Sequence, residues 1–207
     1  MTDSNKIYAD FYNIDSNDYA GIIKFYEMNL LLLDNKSVFQ DKDDFYNYIE
    51  IICQYVLSLE KTGKYNKTLK YAERGIILID LKREEYNIDL KDYSAYWFML
   101  SSKGRAHYYL KDYKNSIHVY ERLHRFDPEN DIIKNCLVSA KSRQRNSINK
   151  YLYITATILI ITEMIFGNKF GYPKLKLYMS GIGFIILLTA LINEYFGDKL
   201  IRLIRKE

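Results

Sequence analysis

Apolar positions are distributed unevenly along the chain. Two runs near the C-terminal end, YLYITATILIITEMIF (151–166) and LYMSGIGFIILLTALINEYF (177–196), are almost continuously apolar and carry only Glu163 and Glu194 as charged residues. Residues 1–150 mix apolar and polar positions and read as a soluble domain. Proline is nearly absent and glycine scarce, so little in that part punctuates strands or breaks helices, and the pattern predicts an all-α fold. After Pro128, a short apolar stripe of Ile132, Ile133, Cys136, Leu137 and Ala140 predicts a capping helix over 131–150 whose other faces are polar.

The second apolar run is about 30 Å long as a helix, which matches the hydrocarbon thickness of a bilayer and predicts a span over 177–196. The first is about 24 Å by the same rise. It reaches across if it continues to Phe170 with Lys169 snorkelling to the headgroups, which predicts a span over 151–170. The intervening GNKFGYPKLK has room only for a turn, so 171–176 is read as a short link and the pair as a transmembrane hairpin.

Residues 1–150 also carry an internal repeat. Laying 62–80 over 110–128 without a gap pairs Tyr65 with Tyr113, Thr68 with Ser116, Leu69 with Ile117 and Leu78 with Phe126. A third copy of the half-unit lies at 17–34, where Tyr19 precedes Tyr65 by a similar interval. Repetition of this kind predicts stacked helical pairs.

The last unit resembles the tetratricopeptide repeat family. Asp112, Tyr113, Ser116, Ile117, Tyr120, Phe126, Asp127 and Pro128 stand at the spacing of that family's second helix, and Leu100, Gly104 and Tyr108 stand about where its first helix has large, small and aromatic residues. The middle unit keeps Gly63, Tyr65, Thr68 and Gly75 without a closing proline; the N-terminal one keeps Tyr19, Ile23 and Tyr26. The family repeats about every 34 residues, and here LKREEYNIDLKDYS lengthens the interval. The resemblance implies an antiparallel array of about two and a half to three helix pairs over 1–130. Thr68, Gly75, Gly104 and Ser116 then let backbones approach while Tyr65, Tyr113 and Leu69 fill the adjacent grooves, and Pro128 closes the unit.

The same resemblance implies protein or peptide binding along the first helices of the pairs. That face would include Glu50, Gln54, Leu57 and Lys61 from the middle unit and Phe98, Ser101, Arg105 and Tyr108 from the last. The points where chaperone-binding members hold a carboxylate clamp carry Ile7, Phe11, Gln54, Phe98 and Ser102, so no such clamp is expected.

Charge bears on the membrane reading. Lys134, Lys141, Arg143, Arg145 and Lys150 precede the first apolar run with no acidic residue among them, and Lys141, Arg143, Arg145 and Lys150 are placed to meet anionic lipid headgroups. Basic residues also crowd the tail, 197–207. Basic flanks on both sides place both ends of the hairpin in the cytoplasm, giving an integral membrane protein whose helical domain faces the cytosol, in a bacterial inner membrane or on an organelle. The N-terminus is acidic and polar, unlike a secretory signal. Glu163 and Glu194 have two readings: an ion path or oligomer contact, or near-interface carboxylates paired with lysines such as Lys169 or Lys199.

Candidate chemistry is sparse. There is no phosphate-binding glycine loop, no His-Glu-x-x-His and no cysteine pair at metal spacing, and His107, His118 and His124 do not stand at helical ligand spacing. Cys53 and Cys136 read as reduced core residues, and the abundance of Tyr, Ile, Lys and Asn matches an AT-rich genome. No enzyme activity, cofactor, metal or nucleic-acid partner is expected. The expectation is a membrane-anchored scaffold that recruits a cytosolic protein or peptide; the competing expectation is a membrane effector whose hairpin self-associates into a pore.

Overall fold

The computed structural model describes residues 3–166 and 173–204, with side-chain surroundings for 6–165 and 177–196. The end of the first expected span, 167–170, the first two residues of the expected link, 171 and 172, and the side chains of the basic tail lie outside the described residues, as do those of Lys169, Lys174, Lys176 and Lys199. Among the described residues the only regular elements are helices: α1 (Asp3–Tyr12), α2 (Tyr19–Met28), α3 (Leu30–Asn35), α4 (Lys42–Lys61), α5 (Tyr65–Lys82), α6 (Ser94–Tyr109), α7 (Tyr113–Phe126), α8 (Asp131–Phe166) and α9 (Pro173–Ile204). The chain divides into two compact units, Met1–Ala140 and Lys141–Glu207.

Local chemistry explains where the helices begin. Asp18, Asp41 and Asp112 each accept a hydrogen bond from a main-chain N–H three residues on, at Gly21, Asp44 and Asn115, which caps α2, α4 and α7. Asn130 does the same for α8, its Oδ1 accepting from the N–H groups of Ile132 and Ile133.

Helix ends follow a shared device. Beyond α4, Gly63 turns left-handed at φ 73° and Lys64 N–H reaches back to the Leu59 carbonyl at 2.8 Å. Beyond α6, Lys111 at φ 63° and a 2.9 Å bond from Asp112 N–H to the His107 carbonyl repeat the geometry. Asn87, at φ 50°, repeats it again after α5, with Ile88 N–H on the Arg83 carbonyl. Gly63 and Lys111 are equivalent in the sequence repeat, so one backbone shape is served by two side chains of unequal cost. Lys111→Gly is therefore expected to raise stability by about 1 kcal/mol. Gly63→Ala is expected to lower it by a similar amount, about 1 kcal/mol, from backbone strain alone, because a Cβ there meets nothing within 4 Å. Urea unfolding followed by the emission of Trp97, the single tryptophan, measures both.

Packing in the first unit runs from neighbour to neighbour: α2 on α4, α4 on α5, α5 on α6 and α6 on α7, with α4 also touching α1 and α6. The core is unusually rich in tyrosine. Tyr26, Tyr48, Tyr55 and Tyr96 are among the largest fully buried side chains, and Tyr26 stacks on Tyr55 at 3.9 Å with Tyr71 edge-on to both. Their hydroxyls find partners: Tyr26 and Tyr71 donate to the two oxygens of Asp34, and Tyr48 donates to the Leu33 carbonyl. Arg74 donates to that carbonyl and to the Tyr48 oxygen, joining α3, α4 and α5 through one polar centre. The tyrosines are thus structural members of the core, a role that overall composition does not reveal.

The small residues sit where helices approach. A Cβ on Gly104 would lie 2.9 Å from the Tyr120 ring, and Ser116 Oγ donates to the Gly104 carbonyl at 2.9 Å, joining α6 to α7. Gly75 faces the flexible end of Met99, and Thr68 is fully buried with its hydroxyl on the Lys64 carbonyl. Tyr65 stacks on Tyr109 at 4.7 Å, Tyr113 meets Tyr108 edge-on, and Pro128 lies exposed between α7 and α8.

Two boundaries differ from the sequence reading. No break separates 131–150 from the first apolar run: α8 continues to Phe166, because no glycine or proline interrupts it. Proline at the first position of α9 starts that helix at 173 rather than 177, where its missing N–H costs nothing. The extra residues between the middle and last units form the connection 83–93, which packs inward through Tyr86 on Phe45 and Tyr93 on Tyr46, while Trp97 Nε1 donates to the carbonyls of Leu90 and Lys91.

Candidate functional site

Helices α4 and α6 pack against each other and carry the residues expected to meet a partner. On α4, Glu50 and Lys61 are exposed while Gln54 and Leu57 are half-buried; on α6, Phe98, Ser101, Arg105 and Tyr108 are half-buried. The spacing of Glu50, Gln54, Leu57 and Lys61 keeps them on one side of α4.

Arg105 does not project as a free cation. Its Nε and Nη2 grip the two oxygens of Glu60 on α4 at 2.6 and 3.0 Å, and its remaining donors reach Ser101 Oγ at 2.6 Å and Ser102 Oγ at 3.1 Å. This bidentate fork fixes α6 against α4. The cationic contact expected from the sequence is therefore taken up within the fold. Lys103 makes a comparable bridge from α6 to Glu73 on α5.

The N-terminal half of the same α4 face is acidic and aromatic. Gln54 Nε2 donates to Glu50 Oε1 at 2.8 Å, which fixes the amide orientation and leaves Gln54 Oε1 buried without a donor among the described residues. Tyr12 is more than half exposed and donates to Asn47 Oδ1 at 2.9 Å. Burial and then the Glu50 carboxylate push the Tyr12 phenol above its ordinary range. Tyr93 is raised further by burial first, then by Cys53, Tyr46 and Glu50. Glu50 is thus within electrostatic reach of rings from α1 and from the 83–93 connection. Tyr12, Tyr46, Asn47 and Tyr93 were not singled out by sequence.

The histidines are dispersed. His107 Nδ1 is 3.0 Å from Asp112 Oδ2, His118 is exposed, and His124 Nδ1 is buried with no partner among the described residues. No group of three His, Cys, Asp or Glu among the described residues is placed to hold a metal ion.

The second unit contains the apolar stretches. Leu177–Phe196 and the apolar part of Asp131–Ile165 are long and apolar enough to cross a membrane, and only 11% of each such stretch is buried within the protein. Within this unit α8 and α9 meet through small residues: Ala156 and Ala190 are fully buried, and a Cβ on Gly183 would lie 3.3 Å from Ile160. Polar contacts close one end, where Asn193 Nδ2 donates to Asn149 Oδ1 at 2.6 Å and Tyr153 donates to the Glu194 carboxylate. Glu194 is therefore partnered by a tyrosine of the other helix. Glu163 lies on α8, well along from Tyr153. Lys141, Arg143, Arg145 and Lys150 precede the apolar part of α8, with Lys141, Arg143 and Lys150 exposed. Comparison of the chain with protein-family models, with known proteins and with solved structures finds no match.

Proposed function

We propose that the chain is a membrane-anchored scaffold whose tetratricopeptide-like array binds an extended segment of a cytosolic protein along the α4–α6 face and holds it at the bilayer. The observation that carries this reading is the exposed carboxylate of Glu50 on α4, set beside the rings of Tyr12, more than half exposed, and Tyr93. A carboxylate flanked by aromatic rings offers an extended peptide a charge contact and apolar anchors. With Arg105 committed to Glu60, exposed Glu50 and exposed Lys61 are left at opposite ends of the α4 face, so it favours a segment with a basic residue toward Glu50 and an acidic one toward Lys61. The weakly buried apolar stretches of α8 and α9 support the anchoring half of the reading, with Lys141, Arg143, Arg145 and Lys150 meeting anionic headgroups.

A photo-crosslinking residue at Tyr93 of the full-length protein tests this in carbonate-washed native membranes, where the protein is expected to stay in the pellet. A discrete crosslinked partner is expected, and Glu50→Lys with Tyr12→Ala should cut its yield at least about ten-fold, the loss of one charge contact and one aromatic anchor. Lys114→Ala on exposed α7 surface should leave it unchanged. Equal yield in all variants, or release of the protein by carbonate, overturns the proposal. The pore reading is favoured by one feature, the exposed Glu194 on an otherwise apolar stretch. Ion leak through reconstituted vesicles that Glu194→Gln abolishes is the result that would select it.

A further inference from the structure

The outward side of α2 and α3 is apolar where a solvated helix would be polar. The backbone runs nearly continuously through Asn29, whose carbonyl accepts from Leu32 and Leu33 N–H, so Lys24, Met28, Leu31 and Leu32 share one side. Met28, Leu31 and Leu32 are 75%, 79% and 58% exposed, whereas Ile22, Ile23, Tyr26 and Leu33 on the other side are buried. Beside them lies an open hollow of about 410 Å³, lined by Ala20, Ile23, Lys24, Glu27, Met28, Thr62 and Lys64. Glu27 is bridged by Lys67 at 2.6 Å and also feels the more distant charge of Lys64, while Lys24 has no ion-pair partner among the described residues. The hollow therefore carries net positive charge on an apolar floor.

We infer that this face docks onto an anionic bilayer surface, with Met28, Leu31 and Leu32 entering the headgroup boundary and Lys24 and Lys64 meeting lipid phosphates. Aliphatic tips beside lysines suit a lipid surface, where the leucines gain burial and the lysines keep their heads in the polar layer. They suit a protein interface poorly, since such cores are depleted in lysine and their anchors are aromatic or arginine. A second copy of the chain is disfavoured because a two-fold contact through this face would gather Lys24 and Lys64 of both copies into one interface. The inference goes beyond the scaffold reading: it needs a nearby bilayer but no partner on the α4–α6 face, so either can fail alone.

The test uses the full chain in vesicles of phosphatidylcholine alone or mixed with phosphatidylglycerol. Cys53 and Cys136 are replaced by alanine, and a polarity-sensitive dye is placed through Leu31→Cys or, as a control, Lys114→Cys. Dye at 31 is expected to report an apolar environment only in the anionic vesicles, and dye at 114 in neither. Lys24→Glu with Lys64→Glu should lower the docked-to-free ratio roughly ten-fold or more, and Lys24→Arg with Lys64→Arg should retain it; Trp97 emission checks that each variant is folded. A signal at 31 that equals that at 114 in both vesicles overturns the inference. So does one that charge reversal leaves unchanged, or one that requires a protein extract and ignores the lipid.

Discussion

Gly104→Leu is expected to remove about 3 to 5 kcal/mol from the stability of the first unit, a large part of what a domain of this size has. The separation of α6 and α7 at this point is pinned from two sides. Ser116 Oγ, itself buried, donates to the Gly104 carbonyl, and the Tyr120 ring, 2% exposed, fills the space where a Cβ would go, with its Cζ at 2.9 Å and both Cε atoms within 3.2 Å. A leucine must displace a buried ring, break that hydrogen bond or part the helices, and each route costs on the order of kcal/mol. Gly75→Ala is expected to cost less, because its close neighbours all belong to the flexible Met99 side chain. Thermal unfolding of the full-length protein, followed by Trp97 emission, should show a midpoint lower by about 10 °C or more for Gly104→Leu and no shift for Lys114→Ala. Equal tolerance at 104 and 114 would mean that the α6–α7 contact is wrongly placed.

Asp44→Asn is expected to cost about 2 to 3 kcal/mol near neutral pH and to flatten the acid limb of stability. The Asp44 side chain is 8% exposed and gathers three separate pieces of chain: Lys36 Nζ at 2.8 Å, the Gln40 N–H at 3.0 Å and the Tyr8 hydroxyl of α1. Burial opposes its charge, but the bonds from Lys36, Tyr8 and Gln40 outweigh burial and hold the carboxyl below its ordinary range. A carboxyl with a depressed folded pKa adds stability that is complete above its unfolded pKa, about 3.9, and is lost as pH falls through the folded value. The wild-type protein should therefore lose stability as pH falls below about 4, while the asparagine variant, lacking this group, should lose less over the same interval. Urea midpoints across that range measure the difference, and parallel profiles would refute the assignment.

What could be read from the sequence follows which interactions are local. The turns at Gly63 and Lys111, the starts of α5 and α7 at Tyr65 and Tyr113 and the small residues Gly104 and Ser116 all lie within short segments whose order repeats, so their register was legible. The two apolar runs were legible for the same reason. The pairing of Arg105 with Glu60 was not legible, because the two lie 45 residues apart and no local pattern announces a pairing across that distance. Tyr93 belongs to a connection without periodicity, so its place beside Tyr46 and Glu50 depended on the packed structure. The start of α9 at Pro173 was legible in principle, since proline commonly opens helices, but it was read as part of a link.

The neighbour-to-neighbour packing of α4 through α7 also bears on how fast the first unit assembles. Contacts between helices joined by short turns close small loops, so little chain entropy must be lost before packing begins to compensate it. The α4–α5 and α6–α7 pairs can form early, as soon as the turns at Gly63 and Lys111 are set. The bond from Tyr8 to Asp44, 36 residues apart, closes a much larger loop and belongs to the late stage of folding. Substitutions at Gly104 should then slow folding, whereas substitutions at Asp44 should mainly speed unfolding.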